Sequence, residues 1–325
     1  MSINLNVNID AEAVISQSEQ ESFSPNKNKT KFNPKNYLNA RLGTGEQSKK
    51  LRIRLLPFSP EGGSPFQKVF IHTIKANEGE GSRWRTFICP KHNKKGDKCP
   101  FCETSEQAKQ LRLTTENEVE KKKYGDVEFM NRAKEAWIVR CIERGNEEDG
   151  VKFWMFNASR KKDGVYDKII NLFNERWTEA KSIGQEYNIF DLNNGKDLSI
   201  SLSRDSNNKT VVQVTDASMM TPLSNDYEQA KSWIDDDKKW DDVYTVKPYD
   251  YMAIIVQGGK PVFDKTQNKY VDELETDKRS DAENVEELQN SLTEQKKDFS
   301  QMTDNALRSN SHQTNMFVDE SDIPF

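Results

Sequence analysis

The sequence predicts a mainly β fold: a partly open antiparallel barrel with inserted helices, a metal-stapled subdomain and an acidic, largely disordered tail. Three observations predict it. Short segments between Lys49 and Thr215 alternate apolar and polar residues with the period of a strand. Three cysteines, Cys89, Cys99 and Cys102, fall within 14 residues rich in lysine. From residue 272 onward the alternation stops and 14 Asp and Glu face 5 Lys and Arg, a net charge of −9 against +4 for everything before it. A mildly basic body joined to an acidic tail is a polarised molecule, and that polarity implies an anionic partner.

Taken in order, residues 1–35 read as a flexible arm with no Lys or Arg before Lys27; from there lysines alternate with Phe32 and, just beyond, Tyr37. Residues 36–271 read as the core. K-K-L-R-I-R-L-L-P is a strand with Leu51, Ile53 and Leu55 on one face and Arg52 and Arg54 on the other. F-Q-K-V-F-I-H-T-I is a second, and R-W-R-T-F-I-C is a third, reached through the turn N-E-G-E-G-S. The cysteine cluster follows, then a helix from about Glu103 to Lys123, so the zinc subdomain spans about residues 66–125. E-A-W-I-V-R-C-I-E pairs with V-K-F-W-M-F-N across N-E-E-D-G, and Cys141, alternating with Trp137 and Val139, reads as a small core residue. D-G-V-Y-D-K-I-I-N-L-F-N-E-R-W is a short helix, and L-S-I-S-L-S-R with T-V-V-Q-V-T forms a hairpin. Five or more strands with an inserted helix and zinc loop point to a barrel of the OB type. Residues 272–325 form the tail, with one weak amphipathic helix through Val285, Leu288, Leu292 and Phe299. D-D-D-K-K-W-D-D at 235–242 reads as a solvated helix end or loop rather than a metal site.

No apolar run approaches the roughly 18 to 20 residues that span a bilayer. M-S-I-N-L-N-V-N-I-D lacks the basic start and apolar centre of a signal peptide, so an intracellular protein is expected. In a reducing compartment, clustered cysteines favour metal over disulfide.

The spacing C-x9-C-x2-C supplies three thiolates to one zinc ion, two from a tight knuckle and one from a loop. A histidine completes the set. His92 forms C-x2-H with Cys89, whereas His72 at the end of a strand would staple the loop to the sheet, and spacing alone leaves the two even. Four protein ligands leave no position for water, which makes the ion structural. The deaminase alternative needs H-x-E ahead of P-C-x-x-C, and here His72-Thr73-Ile74 places isoleucine where the proton-shuttling glutamate belongs.

Binding a single strand without sequence preference takes cations for phosphates and aromatic faces for bases. Both are interleaved along the chain. The candidates are Arg52 and Arg54; Arg83, Trp84 and Arg85; Lys94 and Lys95 of the zinc loop; Arg132 and Lys134 ahead of Trp137; Trp154 and Phe156; and Arg160, Lys161 and Lys162. In F-W-M-F one alternating pair is core, and Trp137 has the alternation of a core residue as well. Trp84, set between arginines, is the better stacking candidate.

The run R-L-L-P-x7-P-F-x5-H from Arg54 to His72, with W-x4-C-x9-C-x2-C from Trp84 to Cys102, resembles the zinc-containing single-stranded DNA-binding proteins of T-even-type tailed phages. N-R-A-K-E-A-W has a counterpart there too. The resemblance covers about residues 50–103 and extends to about residue 215. It implies an OB fold, one structural zinc ion on His72, Cys89, Cys99 and Cys102, and a protein that coats single-stranded DNA in phage replication, recombination and repair in the bacterial cytoplasm. The arm departs from that family, whose basic N-terminal arm packs on the neighbouring protomer; self-association here would fall to the Lys27–Lys35 segment.

The chain ends F-V-D-E-S-D-I-P-F, similar to the C-terminal tip of bacterial single-stranded DNA-binding proteins. Asp322, Ile323, Pro324 and Phe325 would dock on a polymerase, helicase, helicase loader or recombinase, the apolar plug in a pocket and the carboxylates on basic residues around it. The alternatives from the residues themselves are a zinc-stabilised RNA-binding module and a protein-interaction adaptor. No Gly-rich phosphate loop and no paired carboxylates beside the metal motif speak for an enzyme.

Overall fold

The computed structural model describes residues 33–58, 63–78, 81–185 and 188–273. The arm before residue 33, the weak helix at Val285–Phe299 and the tip Asp322, Ile323, Pro324 and Phe325 lie outside the described residues.

Seven strands form one antiparallel sheet: β1 (Ser48–Leu56), β2 (Phe66–Glu78), β3 (Gly81–Ile88), β4 (Lys134–Glu143), β5 (Lys152–Asn157), β6 (Leu198–Arg204) and β7 (Thr210–Asp216). Their order is β3-β2-β4-β1-β6-β7, with β5 branching from β4. The branch arises because β2 and β1 share one edge of β4 in succession. Ile71↔Lys134 to Phe66↔Val139 serves β2, and Leu56↔Arg140 to Ile53↔Glu143 serves β1. The other edge of β4 takes β5, from Ala136↔Asn157 to Cys141↔Lys152.

The expected barrel is corrected to an open sheet. A barrel closes only when its two outer strands pair, and no pairing joins β3 to β7 among the described residues. Helices cover the sheet instead. One face buries Leu51, Ile53, Leu55, Val139, Cys141, Trp154 and Phe156 with Ile169 of α3 (Val165–Ser182). The other buries Leu56, Ile71, Ile138, Ile142, Phe153 and Met155 beneath Leu223, Trp233 and Val243. F-W-M-F is therefore core on both faces, since β5 lies between two packed layers. Trp233 belongs to α4 (Tyr227–Ile234) and Val243 to α5 (Trp240–Val243), and the acidic run between these two helices sits at their junction.

The helix expected over residues 103–123 is two. α1 (Pro100–Thr114) opens with proline at its first turn, where the missing N–H costs nothing. α2 (Glu118–Asn131) is started afresh by Asn117, whose side chain accepts from the N–H groups of Val119 and Glu120. The two pack together, and α6 (Tyr249–Val256) packs on α1. A third apolar cluster results, joining Ile74, Ala76 and Phe87 of the β2–β3 hairpin to Phe101, Met252 and Ile255. The hairpin of β8 (Pro261–Asp264) and β9 (Lys269–Asp272) closes the chain's described part beside α6. No helix among the described residues is long and apolar enough to cross a membrane.

Candidate metal centre

Four donors converge where the β2–β3 hairpin meets α1 and α2. His72 sits on β2 opposite Phe87, Cys89 follows β3, Cys99 is the N-cap of α1, and Cys102 lies in its first turn. All four are buried, and their ligand atoms lie within 4.8 Å of one another. The His72 Nε2 atom is 3.3 Å from Cys99 Sγ and 3.6 Å from Cys102 Sγ, and Cys89 Sγ is 3.5 Å from Cys102 Sγ. A tetrahedral ion with bonds of about 2.0–2.3 Å holds its donors roughly 3.5–3.8 Å apart. The cluster has the spacing of a tetrahedral metal site, and its four protein donors would fill one.

The His72 ring is oriented from outside the cluster. Its Nδ1 lies 2.9 Å from the carbonyl oxygen of Asn131, at the end of α2. A carbonyl only accepts, so Nδ1 carries the proton and Nε2 presents its lone pair to the cluster of sulfurs. His92 is different. It is exposed, its ring packs on Phe70 at 5.3 Å, and its Nδ1 reaches Cys89 Sγ at 3.2 Å and Cys102 Sγ at 3.5 Å from the solvent side. Hydrogen bonds from Cys102 and Cys99 lower the Cys89 thiol below its ordinary range against the burial that would raise it, and the backbone N–H groups of His92 and Lys91 act in the same lowering direction.

The loop from Cys89 to Cys99 is also fastened by Asn93. Its side-chain amide donates to the Phe70 and Cys89 carbonyls at 2.7 and 2.8 Å, and its oxygen accepts from Phe70 N–H at 2.9 Å. Lys91, Lys94, Lys95 and Lys98 all reach solvent from this pinned loop, Lys94 from a left-handed backbone with φ 56°. Lys95 is engaged: its Nζ lies 2.5 Å from Asp241 and over the Trp240 ring at 5.8 Å. The acidic run at 235–242 thus clips the metal loop.

The remaining sequence-derived contacts separate by burial. Arg83 and Arg85 are exposed on the edge strand β3 with Trp84 half-buried between them, and Lys75 stands opposite Trp84. Arg132 and Lys134 flank the exposed ring of Phe129, at 4.3 and 5.2 Å from its centroid. Arg160, Lys161 and Lys162 are exposed in the turn between β5 and α3. Trp137 is half-buried, stacked on Tyr166 of α3 at 4.1 Å with Phe66 edge-on, so one ring face is already covered.

Three expected DNA contacts are corrected. Trp154 and Phe156 are core residues, 6% and 2% exposed. Arg54 is 1% exposed, paired with the equally buried Asp197 and donating to the Thr221 and Pro222 carbonyls. None of the three reaches a ligand at the surface. Asp197 was invisible in the sequence, where K-D-L-S-I carries no sign of a buried carboxylate. The rings of α3 were equally hidden within an ordinary amphipathic period: Tyr166 stacks on Trp137, and Phe173 stacks on Trp177 at 5.9 Å. No protein-family model matches this chain, and no curated protein sequence does.

Proposed function

We propose that this chain is a non-enzymatic, zinc-stabilised protein that coats single-stranded DNA in phage-type replication, recombination and repair. The observation that carries this reading is the pairing of cations with accessible aromatic rings around the metal centre. Trp84 stands with Arg83, Arg85 and Lys75; Phe129 stands with Arg132 and Lys134; the pinned loop adds Lys91, Lys94 and Lys98. Such pairs suit a strand whose phosphates meet cations while its bases stack, each stacked base contributing about 1–3 kcal/mol.

Zinc is the ion that best fits three thiolates and an imidazole in a closed tetrahedron. When bound, it clamps the loop between Cys89 and Cys99 to β2 and α1 and so fixes where the loop lysines stand. Phosphate contacts make affinity salt-dependent, with a slope of about −0.7 per phosphate for single strands. The motif spacing from Arg54 to Cys102 adds to the reading through its resemblance to the phage proteins. In the same reading, the acidic tail competes with DNA for the basic surface, and its terminal Ile323, Pro324 and Phe325 dock on replication and recombination enzymes.

The test is a titration of the full-length protein with oligo-dT, the matching RNA and duplex DNA across a range of salt. Tightest binding to oligo-dT, with steep loss of affinity as salt rises, is the expected result. Salt-insensitive binding, or duplex bound as well as the single strand, would refute it; preference for RNA would move the assignment to an RNA-binding module.

A further inference from the structure

At the end of the sheet away from β3, strands β1, β6 and β7 have one apolar and one polar face. Leu51 and Ile53, Leu198, Ile200 and Leu202, and Val212 and Val214 turn toward the core shared with α3. The alternate positions align across the strands in two rows, Arg52–Ser199–Thr215 and Lys50–Ser201–Gln213. Each of these six side chains is exposed or half-exposed.

Arg52 is not a loose surface cation. Its Nε donates to Asp197 at 2.8 Å, and Asp197, 1% exposed, is shared with Arg54 at 3.4 Å and Arg144 at 3.1 Å. Three guanidinium groups meet one buried carboxylate, with Glu147 4.0 Å from Arg144, so the cluster keeps a net positive charge. Arg54 spends its far end on the Thr221 and Pro222 carbonyls, and Arg144 donates Nη1 to the Leu223 carbonyl at 2.8 Å. The Nη groups of Arg52 have no partner among the described residues, and neither does the Lys50 ammonium.

Arg52 stands between two clefts of about 780 and 720 Å³ and lines both. The carboxylates around them are already answered. Glu143 pairs with Lys152, Asp216 with Arg176 and Lys196, and Glu147 lies 4.0 Å from Arg144. Asp226 caps α4.

We infer that Arg52 and Lys50 form a second phosphate-contact site for a single strand, on the polar β1–β6–β7 face, with Asp197 as the residue that positions Arg52. A guanidinium anchored through Nε presents its two remaining nitrogens as a fork, which matches two oxygens of one phosphate. Anchoring in advance removes the ordering cost that a free arginine meets on binding. The Ser199 and Thr215 hydroxyls beside the fork supply neutral donors, and Lys50 takes the neighbouring phosphate. The polymer in this inference rests on the single-stranded DNA reading; the anion site rests on the local geometry alone.

The experiment compares wild type, Arg52→Ala, Arg52→Lys, Lys50→Ala and Lys94→Ala/Lys98→Ala, each at full length. It titrates oligo-dT across salt and, separately, inorganic tripolyphosphate by calorimetry. Arg52→Ala should flatten the salt slope by about 0.7, one phosphate contact. Arg52→Lys should restore the slope only in part, because charge returns without the fork. Melting temperatures should stay near wild type, since Asp197 keeps Arg54 and Arg144. If wild type binds oligo-dT and Arg52→Ala leaves both the slope and tripolyphosphate binding unchanged, the second site is refuted while the DNA reading stands. If wild type ignores oligo-dT but binds tripolyphosphate in an Arg52-dependent way, the anion site stands and the DNA reading falls. Binding of neither probe overturns both.

Discussion

Two histidines compete on paper for one seat, and the backbone of a distant residue separates them. His72 donates its Nδ1–H to the Asn131 carbonyl, 59 residues away in the chain, which leaves Nε2 facing Cys99 and Cys102. His92 reaches Cys89 and Cys102 only from the solvent side. Replacing His72 with alanine should therefore abolish stoichiometric metal, and replacing His92 should leave one ion per chain, as read by metal analysis of the purified variants. Metal loss in His92→Ala alone would reverse the assignment. C-x9-C-x2-C was legible because its ligands are neighbours in sequence; spacing left the fourth seat open and only the resemblance named His72, because the choice depends on where α2 ends against β2. Arg52 and Arg54 show the same limit. Period two gives them one face and one expected role, but Asp197 lies more than 140 residues away, and its carboxylate leaves one at the surface and one buried.

At the scale of elements, strongly alternating segments became strands as expected, from K-K-L-R-I-R-L-L to the β6–β7 hairpin. Short helices were harder to read. α4 and α6 are eight residues each, too short for a clear period, and their burial comes from tertiary packing. Alternation also failed as a guide in F-W-M-F, where both faces are covered. The acidic run before and within α5 reads as solvated, and all of it is exposed or half-exposed, yet Asp241 holds Lys95 of the loop between Cys89 and Cys99. A phosphate must displace this carboxylate to use Lys95. Asp241→Asn should raise oligo-dT affinity and steepen its salt slope by up to about 0.7. The exposed pair contributes at most about 1 kcal/mol to stability, so melting should change little. Unchanged or weaker DNA binding in this variant would show that the clip does not restrain the loop.

Across the whole molecule, the branch at β4 sets out the proposed binding surface. It leaves β3 and the metal centre at one end of the sheet and the polar β1–β6–β7 face at the other. Strand number and antiparallel pairing were legible in the sequence. Closure was not, because a barrel and an open sheet share the same alternation and differ only in whether the outer strands meet. The charge division along the chain, +4 before residue 272 and −9 after it, is legible at any resolution and fits a body that binds anions.

The central claim is that a structural metal holds a single-strand-binding surface in shape, and chelation tests it most directly. Oligo-dT affinity and thermal unfolding are measured on the same sample before metal removal, after it, and after zinc is restored, with metal content verified at each step. Closed four-donor sites contribute folding free energy outright, about 10–16 kcal/mol in zinc-finger peptides. Melting temperature and oligo-dT affinity are therefore predicted to fall together and to recover together with one zinc ion per chain. A protein proven free of metal that melts and binds as before would contradict the account.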